Sequence, residues 1–132
     1  MNIKNFTSFF HDGSIFDIRH KDCQIEILME SSEMDKKDAM GVVALSKGNR
    51  IRGILHLENV TAIIEDDVNN IINFKMKCES SEIFRFNIDG NTVLFDLIWA
   101  SFSSKNSDEI FSTIKILSEK IWWENLPNMV VD

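Results

Sequence analysis

Tyrosine is absent from this chain, proline occurs once, and cysteine only twice among 132 residues. Each scarcity closes off a class of protein. Two cysteines cannot build the disulfide framework on which small secreted domains depend. With one proline and five glycines there is no collagen-like, proline-rich or linker-like segment, and no internal repeat is visible. No run approaches the ~18 apolar residues of a membrane-spanning helix. The opening Met1-Asn2-Ile3-Lys4-Asn5-Phe6 has neither the apolar stretch nor the cleavage site of a secretory signal, so a cytoplasmic location is expected. Positive charge is scarce too. Fourteen Lys and Arg stand against 21 Asp and Glu, a net charge of −7. Nucleic acid and anionic membranes need a basic footprint and are not expected partners; a basic protein is compatible.

Chemical motifs are equally thin. No glycine-rich phosphate loop, G-x-S-x-G elbow or close-spaced zinc-ligand pair is present. The dipeptide His11-Asp12 is shared with the HD metal-dependent phosphohydrolases, but that chemistry needs several convergent ligands. Only His20 and His56 remain to supply them, and both lie in strand-like runs. No catalytic, cofactor-binding or metal-ligating set is assigned, and no cofactor is expected.

What is present is alternation. Ten Phe, three Trp and many aliphatic residues supply the core of one domain, residues 1–132. Ser14–His20 and Cys23–Met29 read as strands around a Lys21-Asp22 turn, with Cys23 inward. Arg50–Ile64 is strand-like, with a bulge or bend near Glu58-Asn59. Ile72–Cys78 and Phe84–Ile88 alternate in the same way, again with a cysteine, Cys78, on the apolar phase. Asp89-Gly90-Asn91 is the strongest hairpin turn, because Asp-Gly tolerates the positive φ of a primed turn. Thr92–Ala100 is apolar on both faces and reads as a central strand. The polar connection 31–49 has room for an edge strand at Val42–Leu45.

The last element reads as a helix. Asn106 or Ser107 can cap it, Asp108-Glu109 suit its positive end, and Ile110, Ile114, Leu117 and Ile121 form one stripe. The expected fold is therefore α+β, mainly β: a curled, half-barrel-like antiparallel meander of about six or seven strands, with a C-terminal amphipathic helix packed on it. The expected core is Phe16, Ile18, Ile25, Ile27, Leu55, Leu57, Phe74, Phe84, Phe86, Phe95, Leu97, Ile114, Leu117 and Ile121.

The pattern Phe10-His11-Asp12-Gly13-Ser14-Ile15-x-x-Ile18, followed by Gly53-Ile54-Leu55-His56-Leu57-Glu58-Asn59-Val60, resembles the N-terminal half of small acidic bacterial families. Some of those are uncharacterised and some are classed as toxin-immunity proteins. The resemblance implies a bacterial binding protein and carries over no functional residue. Two functional expectations result. One is a non-catalytic protein-binding module, of immunity or adaptor type, whose acidic surface takes a basic partner. Glu65, Asp66 and Asp67 are its candidate acidic contacts. Ile116 and Trp123, off the helix stripe, are candidate contacts for a partner or for a homodimer. The alternative is a small-molecule binding protein or an enzyme with its site inside the curled sheet near His11 and Asp12, using His11, Asp12, His56 and Trp99.

Overall fold

The computed structural model describes residues 1–39, 41–68, 71–100 and 110–130 of the chain. Among these, six strands pair antiparallel throughout: β1 (Ser14–Lys21), β2 (Gln24–Glu30), β3 (Arg52–Glu65), β4 (Ser80–Asp89), β5 (Thr92–Ala100) and β6 (Ile110–Asn125). Their order is β1-β2-β3-β6-β5-β4, and β4 returns to β1, so the sheet closes into a barrel. The expected meander is thus two three-stranded meanders joined edge to edge. Closure rests on a short seam, in which Ser14 and Ile15 of β1 face Glu82 and Ser81 of β4.

The C-terminal helix is not formed. Ile110–Asn125 is the longest strand of the barrel. Ser112, Ile114, Ile116 and Ser118 all point inward and are buried, while Thr113 and Lys115 point out. The two inward serines disguised this alternation as a helical stripe. Both are satisfied inside: Ser112 Oγ accepts the Trp99 indole N–H at 2.8 Å, and Ser118 Oγ donates to the Glu58 carbonyl at 2.7 Å. The residues that would have capped the helix, 106–109, lie outside the described residues.

A plug from the other terminus takes the helix's place. Two short 3-10 turns, Ile3–Asn5 and Thr7–Phe10, bury Ile3, Phe6 and Phe10 against the barrel. Phe10 meets Phe86 and Trp123 edge-on at 5.3 and 5.6 Å, and Phe86 stacks on Phe95 at 4.8 Å. This row of rings fills the interior together with Trp99, Leu55, Leu57 and Ile27. Edge-to-face and offset pairs are the favourable arrangements for aromatic quadrupoles.

Other expectations fail for local reasons. Residues 71–79 form no strand: the Phe74 N–H goes to the His20 side chain, Nδ1 at 3.0 Å, rather than to a strand partner, and Phe74 is buried all the same. No edge strand forms at Val42–Leu45. The connection holds one four-residue helix, Lys36–Ala39, and buries Met34, Ala39 and Val43 on the core. The first hairpin turns at Asp22-Cys23, one residue later than expected, with Asp22 at φ 54°. That shift leaves Cys23 exposed, and Cys78 is only half-buried. Bulges move two expected core residues outward. A register shift between Ile15 and Asp17 frees Phe16, and one between Ile83 and Arg85 leaves Phe84 58% exposed. Leu117 and Ile121 are half-buried rather than central. The bend near Asn59 is present: Asn59 has φ 54° and the register shifts between Val60 and Ala62.

Candidate functional site

The residues expected to converge do not. His11 is exposed, its Nδ1–H donating to the Phe84 carbonyl at 2.6 Å and its ring lying against Phe84 at 5.4 Å. Asp12, at φ 66°, donates its backbone N–H to the Ile83 carbonyl at 2.8 Å. A Cβ on Gly13 would sit 2.3 Å from the Glu30 carbonyl oxygen. Together His11-Asp12-Gly13 form the seam at which β1 reaches β4, so this motif serves barrel closure. Trp99 is inside the barrel, and His56 is on the outside of β3. The aromatic row of Phe10, Phe86, Phe95 and Trp123 lies in that interior.

The candidate interface is also redistributed. Ile116 and Trp123 are buried, because a strand turns both inward where a helix would have turned them out. These two members of the apolar patch on which self-association rested are therefore not on the surface. Glu65 pairs with Lys77 and accepts a hydrogen bond from Ser112. The Asp66 carboxylate accepts the Thr113 N–H at 2.8 Å, extending the β3–β6 ladder. Asp67 is exposed in a left-handed turn at φ 66°. Two of these three acids thus finish a strand.

The pairing of β3 with β6 builds a different site. His56 lies opposite Trp122, Glu58 opposite Lys120, and Ile54 opposite Glu124. Inside-out alternation puts all six side chains on the outer wall. The His56 ring lies flat on the Trp122 indole, centroids 4.0 Å apart and planes at 6°. Trp122 Nε1 donates to Glu58 Oε2 at 2.8 Å, and His56 Nε2 donates to Glu124 Oε1 at 2.8 Å. Lys120 Nζ is 3.4 Å from the same Glu58 oxygen. On the β2 side Glu26 faces His56. The Glu58 carboxyl is held below the ordinary carboxylate range chiefly by the indole N–H; desolvation opposes this, and Lys120 and His56 add to the lowering.

Trp122 is therefore fixed on both its polar edge and one ring face, yet remains 39% exposed. Such a side chain can stack a planar or cationic group on its open surface and offer carboxylates beside it. His56 was among the expected site residues; Trp122, Glu58 and Glu124 were not. The signal that could have found them is strand pairing, which a helical reading of 110–125 hides. Among the described residues, no group of three or more His, Cys, Asp or Glu is placed to hold a metal ion, and no helix is long and apolar enough to cross a membrane.

Fold and wall together define a closed antiparallel barrel with a packed interior and a pinned aromatic–carboxylate patch outside. Compared with models of known families, with curated proteins and with solved structures, the chain matches none significantly.

Proposed function

We propose that this protein is a non-catalytic binding module, of immunity or adaptor type, that takes a basic protein partner on the outer wall of β3 and β6. The observation that carries the reading is Trp122, an exposed indole immobilised by His56 and Glu58 with Glu124 and Glu26 around it. An aromatic at the centre of a contact commonly supplies a large share of its binding energy. Because this ring is already ordered, a partner loses little further conformational freedom in meeting it. An arginine or lysine of the partner would lie over the indole and pair with the flanking carboxylates. The net charge of −7 would speed the encounter. The resemblance of the Phe10–Ile18 pattern to toxin-immunity families points to the same class.

The test is capture from an extract of the source cells, with wild type and variants compared side by side. Wild type should hold a basic protein whose retention falls with salt. Trp122→Ala and the pair Glu58→Gln, Glu124→Gln should lose that same protein. Phe111→Ala, which removes an exposed aromatic elsewhere on β6, should keep it. Retention by Trp122→Ala, or the absence of any salt-sensitive protein on wild type, would refute the reading.

A further inference from the structure

A cleft at one mouth of the barrel runs against the charge of the whole molecule. It has a volume of about 410 Å³ and is lined by Lys47, Arg50 and Arg52, with Glu30 as the one carboxylate. Three cations to one anion stand out in a chain of net charge −7. Its far wall is Pro127, Asn128 and Met129.

The sequence explains how these cations come together. Arg50 and Arg52 flank Ile51, which is fully buried, and both line the cleft. Ser46 closes a turn around Lys47 and Gly48: its N–H donates to the Arg50 carbonyl at 2.9 Å, its carbonyl accepts the Asn49 N–H at 3.0 Å, and its hydroxyl accepts the Arg50 N–H at 3.2 Å. Asn49 takes φ 59° to make that turn. The opposite wall is tied down by the Leu126 N–H, which donates to the Arg52 carbonyl at 2.8 Å, and by the Met129 N–H, which donates to Leu126 at 3.0 Å.

The guanidiniums are positioned but far from saturated. Arg50 directs one N–H to the Ser31 carbonyl at 3.0 Å. Arg52 lies 4.9 Å over the Phe16 ring and approaches Glu30 through one nitrogen at 3.4 Å, a long and single-pronged contact. Its Nε is buried with no hydrogen-bond partner, the one such side-chain atom among the described residues. Each guanidinium carries five N–H donors in a fork that matches an oxyanion. Ion pairs to one carboxylate cannot balance three cations here.

We infer that this cleft binds a small molecule through an oxyanion group, a phosphate or a carboxylate, with Arg50 and Arg52 as the fork, Lys47 as a closing cation, and Pro127 and Met129 against the ligand's apolar part. The volume falls in the ordinary range for small-ligand sites. The cleft shares no residue with the Trp122 patch, so the Lys47 and Trp122 variants test the two readings separately.

The probes are inorganic phosphate and citrate, titrated at fixed ionic strength with chloride as the balancing anion. The amide resonance of Gly48, at the tip of the turn, and calorimetry are the two readouts. Saturable one-to-one binding by either anion is expected, with Gly48 moving along the same curve. Lys47→Ala and Arg50→Gln should each weaken it roughly tenfold or more, the scale of one charge-assisted hydrogen bond. Lys47 is exposed, so that variant keeps the test valid if Arg50→Gln fails to fold. Lys115→Ala, an exposed cation on β6, should bind as wild type does. Saturation by only one probe supports the site and fixes its class as phosphate or carboxylate. Non-saturating shifts, or equal binding by wild type and Lys47→Ala, would overturn the inference.

Discussion

Trp122 and Trp123 are chain neighbours with opposite fates. Trp123 points into the barrel, where it is buried against Phe10 and donates its indole N–H to Asn125 Oδ1 at 3.0 Å. Asn125 in turn donates to the Ala44 carbonyl at 2.9 Å, so this tryptophan also anchors the long connection between β2 and β3. Trp122 points out, where it stacks on His56 and donates its indole N–H to Glu58. A strand assigns these roles by parity alone. The comparison teaches that residue type does not tell stability from recognition in this protein; side of the sheet does.

The comparison breaks first, and hardest, at Trp123. Trp123→Ala should cost about 3–5 kcal/mol in urea unfolding, the range for removing a buried aromatic. Trp122→Ala should cost about 1 kcal/mol or less, since most of what it loses is one hydrogen bond and an exposed stack. Equal costs would mean that the two faces of β6 are not energetically distinct.

Next in size is Gly53→Ala. A Cβ there would fall 2.1 Å from the Glu124 carbonyl oxygen, an impossible contact with backbone that forces β3 and β6 apart. Because that spacing sets both the Trp123 interior and the Trp122 wall, stability should fall by about 3 kcal/mol, the upper part of the overpacking range. Partner capture should fall as well. A variant with wild-type stability would show that the strands can separate without cost.

Ser112→Ala follows. It strips the Trp99 indole N–H of its acceptor inside the barrel, at a cost of about 2 kcal/mol, as expected for a buried donor left unpaired. A Ser112→Thr variant that recovers less than half of the loss would indicate that space, rather than the hydroxyl, decides this position.

These effects also show what could be read from the sequence. The antiparallel sheet, the Asp89-Gly90-Asn91 turn and the bend at Asn59 were legible because alternation and positive-φ residues are local signals. β6 was not. Its inward serines broke the hydrophobic alternation, and Ile110, Ile114, Leu117 and Ile121 happened to fall at helical spacing. Phe16 and Phe84 were misplaced because a bulge adds one residue and reverses parity with no mark in composition. The Trp122 patch was invisible for a further reason. Its members lie on two strands more than sixty positions apart, and only the register of the pair, fixed by barrel closure, joins His56 to Trp122 and Glu58 to Lys120.

The smallest expected effect tests whether the wall is held together electrostatically. Glu58 has a folded pKa below its unfolded value, chiefly because Trp122 donates to the charged carboxylate. A depressed carboxylate stabilises the fold above its unfolded pKa and loses that contribution as pH falls through the folded one. Wild type should therefore be more stable than Glu58→Gln at neutral pH, and the gap should narrow as pH drops below the ordinary carboxylate range. The group is partly exposed to solvent, so the gap should be small and should shrink further with added salt. The indole N–H resonance of Trp122 offers a direct monitor, moving with the same acid titration in wild type and staying still in Glu58→Gln. If the stability gap is the same at every pH, Glu58 holds Trp122 through shape alone. The wall would then present its aromatic ring without the charge that a basic partner needs.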